Sequence, residues 1–544
     1  MRLSSSLSTA HINRMSEQKT QKKQNKSNLL DFTTCETAMT SKSNLELFRS
    51  ILVYRICRIP FLVHNASSLL SLSYKMLGPI ITNKVIKMTF FDQFCAGEDV
   101  QNIQAKLRNL NEFGVGAIFD YAAESDANSV QDDERNAISS EKDTPFNQPA
   151  RVYDYKSEQQ CDFHLNTFRS CINAVRNLSP NGNSFAAVKV TALGNPILLE
   201  RNSAMISQIR ELFTKFNVNN DGILTRTEFE DGFRHHFDVH IENILPEFVD
   251  KLDPNNTNSI DVIDFSRLLT PQLLPEFTLN MKNTNSPLYH CTPTNKEIRL
   301  LEAMYDRAHN LAKLAFDSNV RLLFDAEQSY YQPSIDNLVL NLQETYNSIH
   351  KTDIPIVFNT YQCYLKEAID KLETDLERSR RYSYHFGIKL VRGAYMNSER
   401  ERALQKGYES PIHDCIEDTH QCYDQVMEKL FQYDSTQRKN LVEIMCASHN
   451  QNSIEQTLEF IEKYGKDKNT VHFAQLLGMS DHLTYTLGVN GYRSYKYTPY
   501  GKVGEVIPYL LRRLEENSSL LGNAKTEQMM AWNELKKRIT SIVV

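Results

Sequence analysis

Residues Tyr492 to Asn517 read YRSYKYTPYGKVGEVIPYLLRRLEEN, a strand pattern running straight into a helix pattern. Aromatic, β-branched and polar side chains alternate as far as Pro499 and Gly501, which end the run. Beyond the turn, Ile507, Leu510, Leu511 and Leu514 recur at i, i+3, i+4 and i+7 and form one apolar stripe. Tyr509, Arg512, Arg513 and Glu516 recur at the same spacing on the opposite face. Two adjacent arginines with a tyrosine one turn back can converge on a planar anion. Guanidinium forks meet a carboxylate bidentately, which a lysine cannot do. The same spacing equally fits a solvated charged face, so the rest of the chain decides.

Working outward, seven more short apolar runs share the strand character: Gly114 to Tyr121 (GVGAIFDY), Phe185 to Leu193 (FAAVKVTAL), Val320 to Glu327 (VRLLFDAE), Pro355 to Tyr361 (PIVFNTY), Gly387 to Tyr395 (GIKLVRGAY), Val442 to Asn450 (VEIMCASHN) and Thr470 to Gly478 (TVHFAQLLG). Most successive pairs are separated by a helical pattern. Buried-type strands alternating with helices predict an α/β fold, a closed (β/α)8 barrel. A doubly wound open sheet is the alternative, but no GxGxxG follows a strand and no GxxxxGK[ST] occurs. Polar residues gather at the carboxyl ends of the runs: Asp120, Lys189, Asp325, Glu327, Asn359, Arg392, Tyr395, Ser448, His449, Gln475 and Tyr497. Barrel strands aim those ends at the active-site mouth, so this placement predicts an enzyme.

The chain has 544 residues, 41% of them hydrophobic, enough for a sizeable core, and a net charge of −6 that gives no reason to expect nucleic acid as a partner. Its 10 cysteines show no CxxC and read as reduced thiols. His236 and His240 lie four apart without an HExxH around them, so they do not read as a metal pair. The first thirty residues are rich in Ser, Lys and Arg with Glu17 the one acid; that composition suits a mitochondrial presequence and equally a disordered basic tail. No run reaches the roughly 18 apolar residues of a membrane span. The nearest, Ile51 to Leu77, is interrupted by Arg55, Arg58 and His64, which leaves peripheral membrane association open. The expected organisation is a presequence or tail over 1–43, a helical region over 44–113, and a first barrel part over 114–204 that includes a polar loop, 125–160. An insertion at 205–286, the barrel remainder with its last helix at 287–522, and a C-terminal helix or tail at 523–544 complete it.

Within the insertion, Asn217 to Glu228 reads NVNNDGILTRTE. It matches a helix–loop–helix calcium loop with Asn217, Asn219, Asp221 and Glu228 as oxygen ligands, Gly222 at the sharp turn and Leu224 packed inward. Asparagine at the first position removes a charge, so calcium binding and a metal-free EF-hand-like fold stand side by side. A second loop, Asp253 to Asp264, has Asn258 where glycine is usual and Asp264 in place of the bidentate glutamate; it reads as metal-free.

Taken together, VKVTAL, LFDAEQSYYQP, KLVRGAYM, CASHN, FAQLLGM and YTPYGKVGEVIPYLLRRLEEN resemble the proline dehydrogenase family, FAD-dependent and mitochondrial in eukaryotes. The likeness covers most of residues 110 to 520. It implies a distorted barrel whose final helix lies across the mouth. It further implies that Arg512 and Arg513 pair with the proline carboxylate beside Lys189, that Tyr497 and Tyr509 close over the ring, and that Leu390 packs on the ring's aliphatic edge. Asp325, Asn359, Lys389, Val391, Ala394, Tyr395, Ser448, His449 and Glu516 fall where the family contacts or buttresses FAD. The implied activity is oxidation of L-proline to Δ1-pyrroline-5-carboxylate, with ubiquinone at the inner membrane as electron acceptor. Three positions depart from bacterial members: Lys389 stands for an arginine, Met396 for a tryptophan and Asn359 for a glutamine. Hydroxyproline dehydrogenase is the sister reading, against which Tyr497 argues because that branch carries a smaller residue there. A calcium-responsive interaction protein on an inactive barrel is the rival from another class, and the intact Asp325, Lys189 and arginine pair argue against it.

Overall fold

Eight parallel strands close on themselves: β1 (Val115–Tyr121), β2 (Phe185–Val188), β3 (Arg321–Phe324), β4 (Val357–Gln362), β5 (Phe386–Val391), β6 (Val442–Ala447), β7 (Val471–Leu476) and β8 (Arg493–Tyr500), with β8 and β2 both pairing with β1. The structure is a computed structural model that describes residues 30–32, 36–122, 155–178, 184–237, 245–266, 282–283, 285–436, 441–519 and 521–543. All eight expected runs become strands, and nearly every strand residue is buried because helices cover the outside of the sheet. The runs outlast the strands, however. β2 stops at Val188, and Val190–Ala192 is a single 3-10 turn, so Lys189 already belongs to the mouth.

Alternation along each strand sorts the side chains. Ile118, Ala187, Leu323, Phe358, Met445 and Ala474 point into the barrel, and their neighbours Phe119, Val188 and Phe324 pack outward. The floor of the barrel is polar. Arg321 donates from Nε and Nη2 to the two carboxylate oxygens of Glu443 at 3.0 and 2.8 Å. His472 meets the same carboxylate at 3.4 Å and the Tyr495 hydroxyl at 3.1 Å.

The last barrel helix, Ile507–Ser519, does not lie alongside the barrel. Its Leu510 and Leu514 are buried with Val53 and Cys57 of helix Asn44–Cys57 and with Phe91 and Phe94 of the turns Lys87–Phe91 and Asp92–Phe94, which follow helices Pro60–His64 and Ala66–Ile86. Helix Val100–Glu112 leads into β1 and is capped by Asp99, whose side chain accepts from Asn102 N. A final helix, Leu521–Val543, packs on Asn44–Cys57, where Tyr54 donates to Glu527 at 2.5 Å and Arg58 to Gln528 at 2.9 Å. Before residue 44, Phe32 is buried against the barrel and Glu36–Thr40 is helical. Most of the expected loop 125–160 lies outside the described residues, and Glu158 already begins a helix.

The insertion forms its own apolar cluster around Phe213, Phe216, Phe229 and Phe265. Helices Pro196–Phe216 and Arg226–His236 flank the first loop, and Leu245–Leu252 and Val262–Ser266 flank the second; Ile223–Leu224 and Ile260–Asp261 join the loops antiparallel. Gly222 and Asn258 both adopt positive φ, +81° and +56°. The acids of these loops are already engaged. Glu228 accepts from Thr225 as a helix cap and from Asn219 at 2.6 Å, and Arg226 binds Asp253 at 2.8 Å. Arg381, from a barrel helix, holds Asp261 at 2.6 Å and Asp264 at 3.1 Å. Among the described residues no group of three or more His, Cys, Asp and Glu is gathered for a metal ion.

Candidate active site

At the carboxyl ends of the strands the inward positions are charged. Lys389 on β5 donates to Asp325 Oδ1 at 2.7 Å, and the Tyr497 hydroxyl on β8 donates to Oδ2 at 2.6 Å. Lys189 Nζ stands 3.8 Å from the same oxygen. Burial acts to raise the Asp325 carboxyl, but Lys389, Lys189 and the two hydrogen bonds outweigh it and hold the group below the usual carboxylate range. The Lys389 ammonium also lies 5.1 Å from the centre of the Tyr497 ring. Residues from three faces of the barrel therefore meet at one carboxylate.

The closing helix covers this cluster with its polar face. Tyr509 and Arg513 are buried, and the guanidinium sits 4.7 Å from the centre of the Tyr509 ring. Arg513 pairs with Glu516 at 2.5 Å, yet its Nε and the Tyr509 hydroxyl are buried atoms with no hydrogen-bond partner among the described residues. Arg512, one residue back, is half-buried. Both sides of this helix are thus packed, which rules out the solvated charged face.

His449 sits at the rim. The Leu476 N–H donates to its Nε2 at 3.4 Å, so Nδ1 carries the proton toward Ser480 Oγ at 3.0 Å. Burial, then Lys496 and Arg513, pushes the imidazole down to about 3, which keeps it neutral. Val391 and Tyr395 are half-buried at the end of β5, and Ala394 is exposed beside Gly393. At Gly393, with φ +137°, an added Cβ would lie 2.5 Å from the Tyr364 ring, so the rim there stays small.

Two expected site residues lie elsewhere. Leu390 faces outward into the cluster with Ile388, Tyr423 and Cys446, because Lys389 takes the inward position on β5. Asn359 also turns outward and donates to Asp336 at 2.8 Å, while Phe358 takes the inward place. Several other strand-end polar residues brace the rim. Arg392 donates to His420 at 2.8 Å, Ser448 at 2.8 Å and Ser453 at 2.9 Å. Glu327 accepts from Thr191, and Gln475 bridges Ser448 and Thr484. Asp120 is an addition to the site: it faces inward at the end of β1 and acts electrostatically on both Tyr497 and Tyr509. Its strand-end position was the available signal. A cavity of about 390 Å³ lies behind β7 and β8, lined by Lys42, Arg49, Lys106 and Asp481 among others. There Lys42 and Lys496 meet Asp481 at 2.5 and 2.7 Å, so its charges are largely settled internally.

The profile of the proline dehydrogenase family matches residues 104–526. The chain belongs to the proline dehydrogenase family. Human proline dehydrogenase 1, mitochondrial, is 35% identical over 567 residues, covering 94% of this chain and 90% of that protein. The Caenorhabditis elegans protein of the same name is 32% identical over 94% of the chain, and bovine hydroxyproline dehydrogenase 30% identical over 92%. Among solved structures, proline utilization A from Bdellovibrio bacteriovorus superposes with a TM-score of 0.51 at 15% identity, covering 87% of this chain and 37% of that one. That likeness concerns the fold. The proline dehydrogenase relatives from animals are named as mitochondrial.

Proposed function

We propose that the protein oxidises L-proline to Δ1-pyrroline-5-carboxylate in mitochondria, with FAD as its cofactor and ubiquinone as electron acceptor. The observation that carries the reading is the pair of partnerless buried donors, Tyr509 OH and Arg513 Nε, on a helix closed over the Asp325 cluster. Buried donors left unmade cost free energy, and on a helix closed over a charged cluster they are placed to meet a ligand's acceptors.

The donor set fits a flavin. Lys389, held in place by Asp325, offers a fixed ammonium donor at the barrel centre, and Gly393 and Ala394 put no bulky side chain on the rim beside it. Lys389, Val391, Ala394, Tyr395, Ser448, His449 and Glu516 are the residues that would hold it. When bound, FAD supplies the hydride acceptor, and the protein supplies orientation and field.

Arg512, Arg513 and Lys189 anchor the carboxylate. Their combined charge also disfavours a second cation, so proline is held as the neutral amine, whose lone pair is needed to form the C=N bond. Tyr497 and Tyr509 exclude water from the ring, and Asp325 keeps Lys189, Lys389 and Tyr497 in one arrangement. Where the sister branch carries a smaller residue, Tyr497 would leave less room for a ring hydroxyl, which favours proline over hydroxyproline as substrate. The purified protein is expected to show a flavin absorbance spectrum and to reduce a dye faster with proline than with hydroxyproline. A colourless, inactive preparation defeats the reading; faster turnover of hydroxyproline replaces it with the sister activity.

A further inference from the structure

From Leu47 to Phe91 the chain contains no Asp or Glu, although its net charge is −6. Arg55, Arg58, Lys75, Lys84 and Lys87 in this segment are exposed. The helix Ala66–Ile86 is two arms rather than one. Gly78 takes φ +74° and ψ 169°, and Pro79 opens the second arm. Across the break, Tyr74 OH donates to Asn83 Oδ1 at 2.6 Å and Thr82 Oγ1 to the Ser73 carbonyl at 3.1 Å. Residues nine apart on a straight helix would stand about 13 Å apart, so the arms fold back as a hairpin.

The hairpin's tip is apolar and bare: Met76 is 74% exposed, Leu77 52%, Ile80 84% and Ile81 52%. Leu72, Val85 and Met88 extend the surface down the arms at 50%, 54% and 63%. Soluble proteins rarely leave such a contiguous patch uncovered. No helix among the described residues is long and apolar enough to cross a membrane. Lys87 at the base is ion-paired with Glu98, but the apolar tip flanked by Lys75 and Lys84, in a segment free of acids of its own, matches the interfacial zone of an anionic bilayer in both polarity and charge. A folded protein partner would need a groove complementary to a protruding tip, a demand that a fluid bilayer does not make.

We propose that the hairpin Ala66–Phe91 is a monotopic membrane anchor that inserts its tip into one leaflet of a bilayer containing anionic phospholipid. The base of the hairpin fixes what then faces the lipid. Ile86 and Phe90 pack in the same cluster as Tyr509, Leu510 and Leu514, so docking sets the closing helix and barrel mouth beside the bilayer. That consequence rests on the proposed quinone-linked activity, since a lipid-dissolved acceptor would be met at the mouth; the docking itself does not.

The test uses the full flavin-loaded chain and vesicles of phosphatidylcholine with and without an anionic phospholipid. Flotation is expected with the anionic vesicles and is expected to weaken with salt. The combined Met76→Ser, Ile80→Ser and Ile81→Ser variant should lose at least about tenfold in partitioning, and Lys75→Gln with Lys84→Gln roughly fivefold per lysine. Reduction of a water-soluble dye by proline should be unchanged in both. Ile80→Trp in the parent chain should shift its emission to the blue on adding anionic vesicles. No partitioning of the parent chain, undiminished partitioning of the serine variant, or a self-associated parent that the serine variant turns monomeric would each overturn the proposal. A chain that binds vesicles yet does not oxidise proline upholds the anchor and sinks the activity; one that oxidises proline and ignores vesicles does the reverse.

Discussion

The floor and the mouth of one barrel are both polar and both buried, yet they are built on opposite terms. At the floor one arginine meets one glutamate through two parallel hydrogen bonds, with His472 and Tyr495 completing the set. At the mouth one aspartate is shared by two lysines and a tyrosine, while a buried arginine and a buried hydroxyl above it keep donors unused. A fully bonded network rigidifies a fold; one with spare donors is arranged for a guest. The two layers should therefore fail differently when broken.

The largest effect is expected at the floor. Arg321→Met leaves Glu443 buried without its partner and should cost about 3–5 kcal/mol of stability, read from urea denaturation. An unchanged midpoint would show that the floor network is passive. Acid sharpens the same contrast. Burial raises the Glu443 carboxyl, but His472 and Arg321 prevail and bring it to about 2. With a depressed folded value, its stabilisation is complete above the ordinary carboxylate range and is lost as pH falls toward 2, about 3 kcal/mol in all. Denaturation midpoints measured from pH 6 downward check the sign, and a flat profile contradicts it.

At the mouth the cost should appear in binding rather than folding. Arg513→Met is expected to lose about 1.5–3 kcal/mol, a roughly ten- to hundredfold rise in KM for proline, with the flavin retained and the denaturation midpoint nearly unmoved. An unchanged KM removes the anchoring role. Tyr497→Phe gives up one hydrogen bond to Asp325 while two lysines remain, so a loss near 1 kcal/mol in kcat/KM is expected. The smallest effect belongs to the insertion. Glu228→Gln should stay within about 1 kcal/mol of the parent, and calcium should move neither midpoint. A calcium-dependent rise in the parent, absent in the variant, would return a metal role to Asn217, Asn219, Asp221 and Glu228.

The strands were legible because parallel strands under helices bury both faces and read as short continuous apolar runs. That same property hid their phase. Nothing in KLVRGAY says whether Lys389 or Leu390 faces inward, and nothing in VFNTYQ separates Phe358 from Asn359; the answers come from distant partners, Asp325 just past β3 for Lys389 and Asp336 on an outer helix for Asn359. The closing helix was legible in its two faces, though not in what would press on its apolar side. Arg381 against Asp261 and Asp264 joins residues more than a hundred positions apart, and local spacing carries no trace of such a pair.

The helix that shuts the barrel is backed by Asn44–Cys57, and that helix is in turn braced by Leu521–Val543 through Tyr54 and Glu527. The earliest long helix described and the last one are neighbours on the same roof. A change that loosens Leu521–Val543 is therefore felt at the barrel mouth, because it shifts the support on which the closing helix rests.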